Sequence, residues 1–240
     1  MGDQVDGEAA TVSEIPHRLT RLQRAMVKTM GNAVSTAALS QVTREVEMSS
    51  VIKDRETRSP RPSINTYIMA AVASRLGSHP MLNGRLEGRE VMVPDQVNLG
   101  IAVSVAEGLV VPIVRGADRL SFTALGEALA VAAGKARDNE LTFDDIEGGT
   151  FTVSNLGMFG IDGGFAIPPP PQGAILLVGR VRERFVPDDK GEPMLGSLCW
   201  FGLTFDHRFI DGSTASALLL DIDAALGDAA LLTDNIGSPG

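Results

Sequence analysis

The spacing of apolar residues predicts five helices along this chain. In the first, Leu19, Leu22, Met26 and Met30 recur at the three- and four-residue intervals that place side chains on one helix face. The run over residues 63–76 is apolar and Ala-rich throughout, which indicates a helix buried on all sides. The other predicted helices cover residues 49–58, 121–139 and 213–226.

Runs of β-type residues fill the intervals between these helices. Strands are predicted over residues 39–48, 98–105, 109–114, 150–154, 174–181 and 196–205, with a hairpin over 83–93 that turns at Glu87-Gly88. The segment 182–191 is polar and predicts a turn-rich loop. Because helices and strands alternate irregularly, the predicted fold class is α/β (α+β two-layer), a mixed β-sheet flanked by helices and not a repeating β-α barrel.

Composition and charge narrow the class of protein. The chain has 240 residues, 44% of them hydrophobic, and a formal net charge of -9. This acidity argues against a nucleic-acid or anionic-membrane surface, although it leaves room for a local basic pocket. No apolar run approaches the length of a membrane span, and residues 1–14 lack the pattern of a signal peptide. A cytoplasmic protein is therefore expected, with a disordered tail over 1–14, one domain over 15–233 and a flexible tail over 234–240.

Several kinds of site are disfavoured by the sequence. The loop Gly157–Gly164 lacks both the G-x-G-x-x-G pattern and a phosphate-loop Lys, so nucleotide binding there is not expected. His17, His79 and His207 are far apart, and Cys199 is the single cysteine, so no metal site and no intrachain disulfide are predicted. The apolar run around Cys199 indicates a buried thiol.

The segment Asp206-His207-Arg208-Phe209-Ile210-Asp211-Gly212 carries the main candidate for catalysis. It follows a predicted strand and places a carboxylate, Asp211, four residues after His207. Histidine is the side chain whose ordinary pKa best suits proton transfer near neutral pH. The same pattern fits a histidine at a strand end followed by an aspartate that caps the next helix, and the motif alone does not separate the two interpretations.

Ser154 is the second candidate, because it lies where a strand enters the Gly-rich loop. The segment Thr152–Gly157 is near the nucleophile elbow G-x-S-x-G but lacks its first glycine. A serine at this position is able to donate a hydrogen bond to an oxyanion. A serine that only caps a turn is the alternative.

Read together, residues 150–160 and 206–212 resemble the catalytic domain of dihydrolipoamide acyltransferases, the core components of 2-oxoacid dehydrogenase complexes. That family shares the chloramphenicol acetyltransferase fold. Further family-like segments follow in the expected order: Leu22–Met30, Pro80-Met81-Leu82-Asn83, Asn98–Val103, Gly108–Pro112 and Pro170–Leu176. The resemblance covers roughly residues 15–233, and so many ordered matches make a chance likeness improbable.

The resemblance implies a role for each candidate. His207 falls on the general base that removes a proton from a thiol, and Ser154 on the residue that stabilises the oxyanion. Asp211 falls on the position that orients the histidine loop. Arg24 and Lys28 match basic positions of the opening helix that are expected to bind the phosphates of coenzyme A (CoA), although a solvated basic face is the alternative.

The family also implies partners. It forms trimers with active sites in channels between subunits, so Ser154 of one copy is expected to face His207 of the next. CoA enters each channel from one side and a lipoyl arm from the other, the lipoyl group being carried by a separate domain or protein. Components of the 2-oxoacid dehydrogenase or transketolase-like kind are further expected partners.

Three departures from the family pattern leave alternatives open. No lipoyl-lysine motif is present, and only about fourteen residues precede the domain, which suggests an excised core or a stand-alone enzyme. Ser35-Thr36-Ala37-Ala38-Leu39 stands where the family usually has a Pro-His or Pro-Tyr pair, and Ile167–Pro171 is richer in proline than usual. A stand-alone variant that delivers the acyl group to the phosphopantetheine thiol of an acyl carrier protein is therefore one alternative. A non-catalytic trimeric scaffold is another.

Overall fold

The computed structural model describes residues 14–188 and 190–237, so the predicted tails over 1–14 and 234–240 lie partly outside the described residues. The helices are α1 (Arg21–Thr36), α2 (Ser49–Thr57), α3 (Ile64–Leu76), α4 (Pro80–Asn83), α5 (Phe122–Arg137), α6 (Phe143–Ile146), α7 (Gly212–Gly227) and α8 (Ala229–Asn235). The strands are β1 (Leu39–Glu47), β2 (Arg85–Glu87), β3 (Glu90–Met92), β4 (Leu99–Ile101), β5 (Val103–Val105), β6 (Gly108–Val110), β7 (Ile113–Val114), β8 (Phe151–Asn155), β9 (Ala174–Pro187) and β10 (Pro193–Asp206).

Six strands form one mixed sheet in the order β1-β10-β9-β8-β4-β7. Strands β1, β10 and β9 pair antiparallel, whereas β9, β8 and β4 run parallel to one another. Two short hairpins, β2-β3 and β5-β6, stand apart from this sheet. The arrangement confirms the predicted mixed sheet with flanking helices.

The core lies between one face of the sheet and helices α3, α5 and α7. Nine of the thirteen residues of α3 are buried, as its uniformly apolar sequence predicts. The hydroxyls of Ser63 and Ser121 accept hydrogen bonds from the first turns of α3 and α5, so both serines cap their helices. These caps satisfy backbone N–H groups that have no partner inside the helix.

The sequence predicts a turn-rich loop over residues 182–191, and this prediction is wrong for its first part. Strand β9 continues to Pro187 and pairs with β10 as far as Pro193. Polar side chains are compatible with this part of the strand because it forms a two-stranded ribbon that is open to solvent. The ribbon is held by hydrogen bonds between its two strands and not by burial of side chains. Helices α4, α6 and α8 were also missed. Helix α8 runs to Asn235, and Ile236 after it is buried.

Candidate functional site

His207 lies immediately after the last residue of β10. Its backbone N–H donates to the carbonyl of Ala38 at 2.8 Å, which ties the histidine to the start of β1. The residue is exposed, and its ring centroid lies 5.5 Å from that of the buried Phe205. The imidazole is therefore accessible to a substrate while its backbone is held by two strands.

An ion pair between Asp206 and Arg208 encloses the histidine in a rigid turn. The carboxylate of Asp206 accepts from Arg208 Nη2 at 2.6 Å and Nε at 3.0 Å, and also from the backbone N–H groups of Arg208 and Ala38. Burial alone would raise the pKa of Asp206, but these hydrogen bonds outweigh it and lower the pKa below its ordinary value. Both residues are part of the quoted motif, yet sequence reasoning assigned them no role.

Asp211 is the N-cap of α7. Its Oδ1 accepts from Ser213 Oγ and from the backbone N–H of Thr214, both at 2.7 Å. These two hydrogen bonds lower the pKa of Asp211 to about 2, so the side chain is ionised at neutral pH. The helix-cap interpretation of the motif therefore describes its local structure. It also places Asp211 at the end of the turn that begins at His207, so an orienting role for Asp211 stays a prediction.

Ser154 lies near the carboxyl end of β8, on the sheet face opposite the buried Phe151 and Val153. The residue is half-buried, and its neighbour Asn155 donates from Nδ2 to Asn65 Oδ1 at 2.6 Å. The Oδ1 of Asn155 accepts the N–H of Gly157 at 2.8 Å. This asparagine thereby connects the end of β8 to the first turn of α3 and fixes the backbone beside Ser154.

Close packing explains the glycines that follow Ser154. A β-carbon at Gly157 would come within 2.5 Å of the carbonyl of Gly179, and one at Gly163 would meet the indole of Trp200 at 2.6 Å. The loop thus lies directly on β9 and β10. Three apolar side chains of the loop are exposed to solvent: Met158 is 80% exposed, Phe159 56% and Phe165 55%.

Ser154 and His207 of one chain do not meet. Ser154 pairs with Leu177, and Leu177 pairs with Gly202, five residues before His207. At about 3.3 Å per residue and 4.8 Å per strand spacing, the two residues are roughly 16 Å apart along the sheet and about 10 Å across it. They lie at opposite ends of the sheet because β8 and β10 run in opposite directions.

The two segments that differ from the family pattern, 35–39 and 167–171, lie together beside the histidine turn. A cavity of about 130 Å³ is lined by Thr36, Ala37 and Leu39 from the altered segment, by three prolines of the proline-rich segment, and by Asp206 and Arg208. The three prolines are Pro168, Pro170 and Pro171. The segments that were singled out in the sequence therefore lie directly against the turn that carries His207.

A larger cavity, of about 690 Å³, opens between the α2–α3 loop and α5. Asn65 and Ile101 line it, and Ile101 pairs with Val153 next to Ser154, so the cavity adjoins the serine end of the sheet. Arg24 and Lys28 are exposed on α1 and line neither this cavity nor the smaller one. Their assignment to CoA phosphates stays a prediction.

The remaining candidates have structural explanations. Cys199 is buried, and burial raises the pKa of its thiol to about 12, so it is protonated and inert as a nucleophile at neutral pH. His79 Nε2 lies 2.7 Å from Asp221 Oδ2 and joins the end of α3 to α7. Within residues 14–188 and 190–237, no three His, Cys, Asp or Glu side chains are grouped as metal ligands. No helix in this part of the chain has the length and apolar character needed to cross a bilayer.

Asp206→Asn is expected to destabilise the fold by about 1–3 kcal/mol, because a buried carboxylate loses its charge-assisted hydrogen bonds. Since the folded-state pKa is lowered, the ionised form stabilises the fold above the ordinary pKa of 3.8, and this contribution is lost as the pH falls below it. Thermal unfolding from about pH 3 to pH 8 measures the effect. The difference in melting temperature between Asp206→Asn and the unmodified protein should become smaller below about pH 4.

The matched control for this prediction is Asp144→Asn, since Asp144 is an exposed carboxylate on α6. It should leave unfolding unchanged at every pH. A gap between the Asp206 variant and the unmodified protein that stays constant across the whole pH range would show that the charge of Asp206 contributes nothing.

The sheet order and the packing of helices on one face define the class of protein. The fold is chloramphenicol acetyltransferase-like: a chloramphenicol acetyltransferase structure matches with a TM-score of 0.54 at 15% identity, over 83% of this chain and 94% of that chain. A probable dihydrolipoamide acetyltransferase from Listeria monocytogenes matches more closely, with a TM-score of 0.85 at 28% identity, over 92% of this chain and 97% of that one. The predicted fold class is thereby confirmed.

The family follows from the sequence comparison. Residues 12–233 match the model of the 2-oxoacid dehydrogenases acyltransferase (catalytic domain), and the chain belongs to this family. It is 32% identical over 219 residues to the dihydrolipoyllysine-residue succinyltransferase component of the 2-oxoglutarate dehydrogenase complex of Bacillus subtilis. That match covers 88% of this chain and 52% of the relative, so the chain spans about half the length of the curated relatives it matches. The resemblance drawn from the motifs is confirmed.

Proposed function

We propose that this protein is a cytoplasmic acyltransferase that moves an acyl group between a lipoyl-type thioester and the thiol of CoA. The observation that carries the proposal is the exposed His207 on a turn held by the Asp206–Arg208 ion pair, in a chain of the acyltransferase family. A rigid support of this kind holds a catalytic base in one orientation, so no conformational entropy has to be lost when the reaction takes place.

In the proposed reaction, the proton that His207 removes from one thiol is returned to the other. The imidazole of His207 takes the proton of the incoming thiol, and the thiolate attacks the carbonyl carbon of the thioester. The Ser154 hydroxyl donates a hydrogen bond to the oxyanion of the tetrahedral intermediate. When the intermediate collapses, the original C–S bond breaks and the leaving thiolate takes the proton back from the imidazolium. A thiol with an ordinary pKa of roughly 8.5 needs such a base near neutral pH.

The proposal requires at least two copies of the chain for each active site, and a homotrimer is the proposed assembly. A general base and an oxyanion donor must both lie within about 3 Å of the reacting atoms, which is far less than the separation of His207 and Ser154 in one chain. The outward apolar side chains of Met158, Phe159 and Phe165 next to Ser154 support a subunit contact there, because exposed apolar patches mark interaction surfaces.

The proposed partners follow from the relatives, which are named as components of 2-oxoglutarate dehydrogenase complexes. The lipoyl arm would be presented by another domain or another protein, and 2-oxoacid dehydrogenase or transketolase-like components would load it. Asp211 is proposed to orient the histidine turn from its position at the start of α7.

A transfer assay tests the function directly. The protein is mixed with acyl-lipoamide and equal amounts of CoA and a phosphopantetheine-bearing acyl carrier protein, and the acyl group is followed by mass spectrometry. Acyl-CoA is the expected product. Exclusive labelling of the carrier protein would replace CoA by a carrier-protein thiol as the acceptor. Absence of transfer from a panel of short-chain acyl donors to either thiol would leave a non-catalytic scaffold as the function.

A further inference from the structure

We infer that Asn65 and Asn155 are positioning residues of the proposed reaction, because the hydrogen bond between their side-chain amides fixes the backbone that carries the Ser154 hydroxyl. The inference rests on the proposed function and adds to it the part of the chain that sets the geometry of the oxyanion donor. In this role neither asparagine contacts the reacting atoms, and both act through Ser154.

Ser154 lies where the sheet supports β8 on one side only. Strand β8 pairs with β9 up to Asn155, which lies opposite Val178. On the other side, the pairing of β8 with β4 ends at Val153, opposite Ile101. Ser154 therefore stands one residue beyond the last pair with β4. Because the end of a strand ladder opens more easily than its middle, the position of Ser154 depends on contacts from outside the sheet.

Asn155 uses both ends of its side-chain amide to hold this strand end. Its Nδ2 donates to Asn65 Oδ1 at 2.6 Å, and its Oδ1 accepts the backbone N–H of Gly157 at 2.8 Å. The side chain cannot rotate without breaking one of these two hydrogen bonds. The backbone of Asn155, and with it the adjacent Ser154, is thereby held in one position.

Asn65 provides a rigid anchor because it is the second residue of α3. The Oγ of Ser63 accepts the backbone N–H of Thr66 at 3.1 Å and caps this end of the helix. Nine of the thirteen residues of α3 are buried, including Thr66 directly after Asn65. A helix packed in this way has little freedom to shift, since protein interiors are close-packed. The bond from Asn65 to Asn155 thus connects Ser154 to the core by a second route besides β8.

The position of an oxyanion donor has a large effect on the rate of acyl transfer. One donor contributes about 10²–10³ in kcat, and it does so when it lies about 2.7–3.1 Å from the oxyanion. A displacement of about 1 Å costs on the order of 10²-fold. Loss of a residue that holds Ser154 should therefore lower kcat, whereas KM should not change if substrate binding is unaffected.

Asn65→Leu tests the inference, because leucine has a similar size and offers no acceptor to Asn155 Nδ2. It should lower kcat for transfer from acyl-lipoamide to CoA about tenfold to a hundredfold and leave KM for both substrates unchanged. Asn65→Ala removes the same acceptor without adding an apolar side chain and serves as a second variant. Thermal unfolding shows that each variant is folded at the temperature of the assay.

Asn65→Asp is the matched control, since its carboxylate keeps the acceptor for Asn155 and a negative charge suits the first turn of a helix. It should retain most of the kcat of the unmodified protein. If Asn65→Asp is as slow as Asn65→Leu, the hydrogen bond is not the cause of the loss and the inference is wrong. A rise in KM with an unchanged kcat in Asn65→Leu would also overturn it, because Asn65 would then act on substrate binding.

A double-mutant cycle with Ser154→Ala separates positioning from a general effect on the fold. In the Ser154→Ala background there is no hydroxyl to hold, so Asn65→Leu should cause no further loss of kcat, measured at raised enzyme concentration. An equal loss in both backgrounds would show that Asn65 acts independently of Ser154, which contradicts the inference.

The rate of the unmodified protein distinguishes failure of this inference from failure of the proposed function. If the unmodified protein and Asn65→Leu transfer acyl groups at the same rate, the inference is wrong and acyl transfer itself is unaffected. If the unmodified protein acylates no thiol, the proposed function is wrong, and so is the inference that depends on it.

Discussion

His207→Ala is expected to lower kcat for acyl transfer by about two to four orders of magnitude, the usual contribution of a positioned general base. Without the imidazole, only the small ionised fraction of the thiol reacts near neutral pH, and the leaving thiolate has no proton donor. Because the His207 side chain is exposed and makes no hydrogen bond to another described residue, the substitution should leave the fold and the assembly unchanged. Initial rates with acyl-lipoamide and CoA, together with light scattering, measure both expectations.

The dependence on pH gives this prediction a second measurement. Raising the pH toward the pKa of the thiol should partly restore the rate of the His207 variant, because hydroxide and solvent then supply the thiolate. His17→Ala is the matched control, since His17 is an exposed histidine outside the proposed site, and its rate should not change. Transfer at the unmodified rate in His207→Ala would refute the general-base assignment.

Co-expression of Ser154→Ala and His207→Ala chains is expected to restore activity that neither variant has alone. Removal of one oxyanion donor costs about 10²–10³ in kcat, so each homogeneous variant should be nearly inactive. If every site takes Ser154 from one subunit and His207 from its neighbour, random mixing leaves roughly a quarter of the sites with both residues intact. Activity should therefore rise from about one per cent or less to roughly a quarter of the unmodified level.

The control for this experiment is co-expression of the double variant Ser154→Ala/His207→Ala with Ser154→Ala chains. No subunit in that mixture retains Ser154, so no site regains both residues. Recovery in the first mixture and not in the second would place the active site between copies of the chain. If neither mixture recovered activity, the two residues would not serve one site across an interface.

Local sequence patterns account for much of the fold. The bounds of α3 were predicted to within one residue because a uniformly apolar run follows a capping serine, Ser63. The start of β9 and the end of β8 were predicted to within one residue because apolar strands border turn residues. The second half of β9 was not predicted, since residues 182–184 are charged, a proline follows at 187, and the segment becomes a strand only through pairing with β10.

The candidate site was also predicted only in part from local sequence patterns. Motif order singled out His207, Ser154 and Asp211, because the types of residue needed for proton transfer and oxyanion binding stand in recognisable local patterns. It missed Asp206 and Arg208. Their ion pair is local in the sequence, but the support it gives to the histidine turn depends on the burial of Asp206 and on the backbone N–H of Ala38, 168 residues away. It also missed the cavity of about 690 Å³ that adjoins the serine end of the sheet, because this cavity brings together the α2–α3 loop and α5, which are far apart in the chain.

The amino-acid sequence alone was sufficient to define the family, the class of fold and the residues with suitable chemistry, because each of these depends on residue types at short spacing. Only the tertiary structure decided where those residues lie relative to one another. The antiparallel pairing of β9 with β10 and the parallel pairing of β8 with β9 place Ser154 and His207 at opposite ends of one sheet. That separation depends on strand register, which arises from contacts between distant parts of the chain and not from the local pattern of any one strand.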